Sequence, residues 1–201
     1  GCKHTGTLSL LQGITTSVGG NCGFCPLNTA SFLRVQTQFP IHQAELVGLC
    51  ALREAAGVTN PFEPATRAQA QMMGDLCDKA LCGGAAGVSL GPGYAPGTTL
   101  EEMETLCSCA RAHGRPASID TRMYSMTDLH SLQEAIELAE VTGCRMIVSH
   151  FVYQYGVGVE YEALEMLELA RDRGVDMRLD SGMYKDWCSY IGSALFEPVT
   201  M

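Results

Sequence analysis

The sequence repeats one pattern, an apolar segment followed by a helical segment, about every thirty residues. Four apolar segments in the later part of the chain set this repeat: 85–91, 115–120, 144–150 and 175–180. Between them, apolar residues recur at i, i+3, i+4 and i+7, which predicts helices over 99–114, 129–143 and 160–174. All three end at a glycine, the residue that best adopts the left-handed conformation after a helix. The repeat therefore predicts βα units built around a parallel sheet.

The earlier part of the chain predicts two further strands, at 13–19 and 44–51, and a helix over 66–84. The segments 28–42 and 57–66 lack a periodic pattern, and we expect them to be irregular. Parallel βα units form either a closed (β/α)8 barrel or an open doubly wound sheet. The count of units favours an α/β fold that is an incomplete TIM-like barrel of about six strands.

The length of the chain bears on how such a barrel closes. A full barrel typically takes about 250 residues, and this chain has 201. The chain begins at Gly1 without an initiator methionine, and 2–11 has the pattern of a helix interior. We therefore expect 1–201 to form one domain, the central part of a larger barrel. A homo-oligomer or a longer natural chain would cover the open sheet edge, since exposed edges invite pairing.

Charge and composition restrict the partners of the chain. The formal net charge of −9, with thirteen scattered Lys and Arg, disfavours nucleic acid and anionic membranes. The sequence has neither an apolar run of about 18 residues nor a signal-peptide pattern at its start. Its ten cysteines lie within helix and strand patterns, unlike those of a small secreted scaffold. We therefore expect a cytoplasmic protein without membrane or nucleic-acid partners.

Residues that can bind a metal follow several of the predicted strands. Cys22 comes after the first strand, and Asp120, His150 and Asp180 end three successive later ones. In both candidate folds the carboxyl ends of the strands carry the chemistry. Thiolate, imidazole and carboxylate are the usual ligands of zinc, which can activate a water molecule and polarise an amide carbonyl. Taken singly, each residue also has a structural role open to it, such as capping a helix or binding a loop.

The segment "SVGGNCGFCP" (17–26) holds two cysteines whose spacing leaves three roles open. Cys22 and Cys25 could bind a metal, form a redox pair, or be unconnected thiols in a turn. The proline and the Asn-Thr pair that follow predict a loop, whereas a thioredoxin-like pair opens a helix. Cys107 and Cys109 are no second zinc pair, because two residues apart on a helix they point in different directions. We favour Cys22 as a metal ligand and assign Cys25 no role.

The segment "GPGYAPG" (91–97) predicts a rigid loop directly after a strand. Tyr94 is its one large side chain, which leaves a plain turn and a substrate contact as alternatives. The loop lacks the Gly-x-Gly-x-x-Gly spacing and the Lys-Ser/Thr ending of phosphate-binding loops.

Taken in order, "QGITTSVGGNCG", "GAAGVSLGPGYAPGTTLEE", "TRM" and "IVSH" resemble segments of the N-acyl-D-amino-acid deacylases, or D-aminoacylases. These enzymes belong to the metal-dependent amidohydrolase superfamily, and the resemblance runs from about residue 13 to the end. It implies a distorted (β/α)8 barrel that binds zinc and hydrolyses the amide bond of a small N-acylated D-amino acid. It also implies that Cys22 and His150 bind the metal and that Tyr94 and Arg122 contact the substrate.

The chain departs from the family pattern at several positions. Asp120 stands where the family has a ligating histidine, although a carboxylate can also bind zinc. Leu49 and Val152 replace a usual histidine and a frequent lysine. The family's His-x-His would precede residue 1 and its catalytic aspartate would follow Met201, so no catalytic residue is assigned.

Three functions follow from these readings of the sequence. The first is a zinc-dependent amidohydrolase of the D-aminoacylase type. The second is a truncated or inactive barrel that acts as a binding or assembly module. The third is a thiol oxidoreductase, which would form a disulfide between Cys22 and Cys25 and bind no metal.

Overall fold

Six parallel strands form one curled sheet, the incomplete TIM-like barrel that the sequence predicts. The computed structural model describes residues 3–26, 28–35, 39–122, 124–125, 127–156, 158–182, 186 and 188–196. The strands are β1 Thr16–Gly19, β2 His42–Gly48, β3 Gly87–Leu90, β4 Ala117–Ile119, β5 Met146–Val148 and β6 Met177–Leu179. Each strand pairs with the next one along the chain. This order excludes a doubly wound sheet, in which the strand order reverses.

Seven α-helices lie before and between these strands in the described part of the chain, with α3 and α4 both between β2 and β3. They are α1 Lys3–Leu11, α2 Thr29–Arg34, α3 Leu49–Ala55, α4 Arg67–Cys82, α5 Leu100–Ala112, α6 Leu129–Thr142 and α7 Glu160–Asp172. Thr66 and Thr99 open α4 and α5 with capping boxes, and Gly143 ends α6 with φ 63°. None of these described helices has both the length and the apolar character needed to cross a bilayer.

One predicted strand boundary and one segment predicted to be irregular were wrong. The strand expected over 44–51 ends at Gly48, and α3 begins at Leu49. The apolar run continues there because Leu49 and Leu52, three residues apart, are buried on one face of a helix. The segment 28–42, expected to be irregular, contains α2, and the Asn28 side chain caps it by accepting the Ser31 N–H at 2.9 Å.

A buried ion pair joins α3 to α5. Arg53 and Glu102 have side chains only 2% and 1% exposed, and the Arg53 guanidinium donates to the Glu102 carboxylate. Arg53 also donates to the Glu63 carbonyl at 2.5 Å, and Glu102 accepts the Ala65 N–H at 3.1 Å. The pair therefore fixes the irregular segment 57–66 against both helices.

Replacing Arg53 by methionine tests this pair. Arg53→Met leaves the buried Glu102 carboxylate without its partner, so we expect the free energy of unfolding to fall by about 3–5 kcal/mol. Urea denaturation measures the change. The matched control is Arg178→Met, which breaks an exposed contact to Asp176 and is expected to change stability by less than about 1 kcal/mol. Equal effects of the two substitutions would contradict this role of the buried pair.

Candidate metal centre

Glycines place Cys22 against the carboxyl ends of two neighbouring strands. Cys22 lies in a single 3-10 turn, Asn21–Gly23, with φ 59° and ψ 23°. A Cβ atom on Gly91 would overlap the Cys22 carbonyl oxygen, and one on Gly48 would overlap the carbonyl oxygen of Gly23. The turn can therefore touch the ends of β2 and β3 only because a glycine ends β2 and another directly follows β3.

His150 occupies a second strained position, at the end of β5. Its φ is 38°, and Cys22 and His150 are the two non-glycine residues with positive φ in the described part of the chain. Such a conformation costs on the order of 1–3 kcal/mol and persists only where the surroundings enforce it. The His150 N–H donates to the Asp180 carboxylate, which holds this turn in place.

Asp120 ends β4 beside these two residues. Its N–H donates to the Leu90 carbonyl at 2.9 Å, which continues the pairing of β3 with β4. Its Oδ1 lies 3.4 Å from His150 Nε2, and Cys22 Sγ lies 4.0 Å from the same nitrogen. The three donor atoms all lie within 4.8 Å of one another. Donor atoms around one tetrahedral zinc ion are about 3.3–3.8 Å apart, from the usual bond lengths. Small side-chain rotations would therefore let the three residues hold one divalent metal ion.

The surroundings of the three residues are electronegative. Burial raises the pKa of the Cys22 thiol from 9.0 to about 12, with further contributions from Asp120 and Asp180. The hydrogen bond to Asp120 raises the pKa of His150 above its ordinary 6.5, although burial opposes the shift. Asp120 and Asp180 contribute to both shifts, so they favour positive charge between these side chains, and a metal ion would supply it.

Asp180 is not among the residues whose donor atoms converge. Its carboxylate accepts the backbone N–H of His150, and its carbonyl accepts the Phe151 N–H at 2.8 Å. In the structure Asp180 therefore supports the turn that carries His150, and a direct role in the chemistry stays a prediction.

Tyr94 lies in an aromatic cluster beside a cavity of about 250 Å³. Its ring meets the Phe24 ring edge to face at 5.1 Å and stacks on the Tyr190 ring at 6.2 Å. The Tyr94 hydroxyl lies 3.2 Å from Ser189 Oγ, and burial raises its pKa, which keeps the phenol protonated. The cavity has room for a small molecule, and substrate contact by Tyr94 stays a prediction.

The Arg122 side chain binds protein groups with all three guanidinium nitrogens. Its Nε donates to both Glu134 carboxylate oxygens at 3.1 and 3.0 Å. Nη1 donates to the Pro96 carbonyl at 3.0 Å and Nη2 to the Thr98 carbonyl at 2.7 Å. Arg122 therefore fixes the loop that carries Tyr94 to α6, and substrate contact by Arg122 itself stays a prediction.

Cys25 occupies a different environment from Cys22. Its sulfur accepts the Gly48 N–H at 3.1 Å, and both cysteines are free thiols. Burial raises the pKa of each thiol, which disfavours the reactive thiolate that an oxidoreductase needs.

Sequence reasoning missed the serines that support the Cys22 turn. Ser89 Oγ accepts the Gly23 N–H at 3.0 Å. Ser118 Oγ lies 3.2 Å from the Asn21 side chain and 2.5 Å from Ser149 Oγ. The only signal in the sequence was a serine within each of three strand segments, "VSL", "ASI" and "VSH".

Three curated proteins of Alcaligenes xylosoxydans xylosoxydans resemble the chain, although no family model matches it. An N-acyl-D-glutamate deacylase is 31% identical over 84% of this chain and 40% of its own length. A D-aminoacylase is 28% identical over 89% of this chain and 42% of its own. An N-acyl-D-aspartate deacylase is 30% identical over 79% of this chain and 38% of its own length. The chain thus spans about two fifths of each relative.

Solved structures of such proteins share the fold. An N-acyl-D-glutamate deacylase from Bordetella bronchiseptica, complexed with zinc and a phosphonate mimic of the tetrahedral intermediate, superposes with a TM-score of 0.80. It is 28% identical, over 89% of this chain and 44% of that one. A D-aminoacylase with a binuclear metal centre also superposes with a TM-score of 0.80, at 25% identity over 90% of this chain and 44% of that one.

Substitution of Gly91 tests whether glycine is required at the Cys22 turn. Because a methyl group would overlap the Cys22 carbonyl oxygen, we expect Gly91→Ala to lower the free energy of unfolding by about 1–3 kcal/mol. The control is Gly192→Ala, whose methyl group would meet no atom within 4 Å. Urea denaturation of both variants measures the difference. An unchanged free energy of unfolding in Gly91→Ala would contradict the close approach of Gly91 to the Cys22 carbonyl.

The contact between Asp120 and His150 predicts a pH dependence. We expect Asp120→Asn to lower the pKa of His150, which an NMR titration of the metal-free protein measures. The control is Asp176→Asn, at the opposite end of β6, which should leave the His150 pKa unchanged. Since the folded-state pKa of His150 is raised, the pair stabilises the fold fully below about pH 6.5 and loses this contribution as pH rises through the raised pKa. An unshifted His150 titration in Asp120→Asn would contradict the ion pair.

Proposed function

We propose that this chain, a homologue of the D-aminoacylases, carries a zinc site for hydrolysing the amide bond of N-acyl-D-amino acids. The relatives confirm the resemblance inferred from the sequence. The observation that carries the proposal is the convergence of Cys22, Asp120 and His150 within 4.8 Å at the carboxyl ends of the strands.

The donor set favours zinc among the common divalent ions. One thiolate, one imidazole and one carboxylate are all usual ligands of zinc, whereas magnesium and calcium take oxygen ligands and do not favour the soft thiolate. Three protein ligands also leave a fourth position open, as in catalytic zinc sites. His150 is 42% exposed and Asp120 16%, so the site is open to a small molecule.

Each residue of the site has a proposed part in the reaction. Bound zinc would lower the pKa of a water molecule and polarise the amide carbonyl. Cys22, Asp120 and His150 would hold the metal, and Asp180 would keep His150 in its strained turn. Tyr94, protonated beside the cavity, would donate a hydrogen bond to the substrate. Arg122 would fix the loop that presents Tyr94, in addition to the substrate contact that the resemblance implies.

The chain corresponds to only part of each relative. It spans about two fifths of its curated relatives, and we propose that 1–201 is one domain, the central part of a larger barrel. Further barrel strands or a second copy would cover the outer edges of β1 and β6. Because the cysteines lie within helix and strand patterns, we propose a reducing, cytoplasmic environment.

A second candidate is a binding or assembly module that lacks catalysis. The observation that favours it is Asp120, because it stands where the resemblance places a ligating histidine. Metal binding and hydrolysis therefore need separate measurements.

Zinc titration of metal-free, reduced protein tests the metal site. We expect Cys22→Ser and Asp120→Ala each to remove one zinc equivalent, or to weaken its binding at least about tenfold, because each loses a ligand. Cys25→Ser, which removes the neighbouring thiol, is the matched control and should retain this zinc. Equal zinc binding by the parent and Cys22→Ser would contradict the site.

Hydrolysis separates the two candidates. Release of the amino acid from N-acetyl-D-glutamate or N-acetyl-D-aspartate by zinc-loaded protein, absent with the L enantiomers and lost in Cys22→Ser, would support the first candidate. Amine release followed by chromatography measures this. Zinc binding at Cys22 without any release would contradict catalysis by this chain and favour the binding module.

A further inference from the structure

A second group of metal-binding side chains lies between α4 and α5. Asp78 and Cys82 are four residues apart on α4 and therefore share one face of that helix. His113 follows α5 as its C-cap residue and faces them. The two helices pack side by side, which brings the three side chains together.

The donor atoms of this group are as closely spaced as those of the first site. His113 Nε2 lies 2.8 Å from Asp78 Oδ1, and Cys82 Sγ lies 4.0 Å from Asp78 Oδ2. The three donors all lie within 4.8 Å of one another, and small rotations would give the separations of about 3.3–3.8 Å expected around zinc.

The fold provides a second reason for a cation here. Cys82 is the last residue of α4 and His113 follows the last residue of α5, so the carboxyl ends of both helices meet at this place. The partial negative charge at a helix carboxyl end favours a bound cation. The group also lies at the amino end of the strands, because β3 and β4 begin a few residues later. It is therefore at the opposite end of the sheet from Cys22, Asp120 and His150.

We propose that Asp78, Cys82 and His113 form a second divalent-metal site of the zinc class, with a water molecule in the fourth position. The ion joins α4 to α5 at the outer, amino-terminal end of the barrel and takes no part in hydrolysis. Cys109, on the same part of α5, is not a ligand: its thiol is hydrogen-bonded to Cys77 and is not among the three donors that converge.

Cobalt(II) is the probe, because a cobalt–thiolate bond gives an absorption band in the near ultraviolet. The titration uses metal-free, reduced Cys22→Ser protein, in which the first site lacks its thiolate. We expect a thiolate band that saturates at one cobalt per chain. Adding Cys82→Ser should abolish the band, and adding His113→Gln should weaken cobalt binding at least about tenfold. The matched control adds Cys109→Ser, and this protein should keep the thiolate band.

The outcomes separate this site from the first one. A Cys22→Ser protein without a thiolate band would overturn the proposal and leave Asp78 and His113 as a salt bridge between helices. A band lost with Cys109→Ser but kept with Cys82→Ser would also overturn it. Should the first site bind no metal, the unmodified chain would still show one cobalt–thiolate site that depends on Cys82.

Discussion

The contact between the Cys22 turn and the glycines at the carboxyl ends of β2 and β3 determines the geometry of the site. Gly48 and Gly91 let two strand ends touch the backbone of the turn, where any Cβ atom would overlap a carbonyl oxygen. The Ser89 hydroxyl then satisfies the buried Gly23 N–H, which would otherwise be costly to leave unpaired. A thiol from the first βα unit is thereby held beside side chains more than ninety residues later in the chain.

The parallel register explains why the other ligands meet there. Adjacent strands pair without a break from β2 to β6, so the residues that follow β4, β5 and β6 emerge at one edge. Asp120, His150 and Asp180 occupy these positions. Asp180 binds the backbone of His150, and Asp120 approaches its ring. A strained histidine turn is thus supported from both neighbouring strands.

Much of this arrangement could be predicted because it depends on local patterns. Apolar periodicity predicted α4 to α7 and the later strands, and the residues that follow the strands pointed to Cys22, Asp120 and His150. The boundary at Leu49 could not be predicted, because one apolar run serves both a buried strand and a buried helix face. The partners of Arg122 and Tyr94 are long-range contacts, with Tyr190 lying ninety-six residues after Tyr94, and periodicity carries no information about such pairs. Cys109 likewise pairs with Cys77 on another helix, and not with the nearby Cys107.

The central claim is that Cys22, Asp120 and His150 bind one metal ion together. Zinc-edge X-ray absorption of the protein loaded with one zinc, in a Cys82→Ser background, tests it most directly. Zinc held by these three residues should show one sulfur at about 2.3 Å and nitrogen or oxygen ligands at about 2.0–2.2 Å. A shell of nitrogen and oxygen alone, or one with two or more sulfurs, would contradict it.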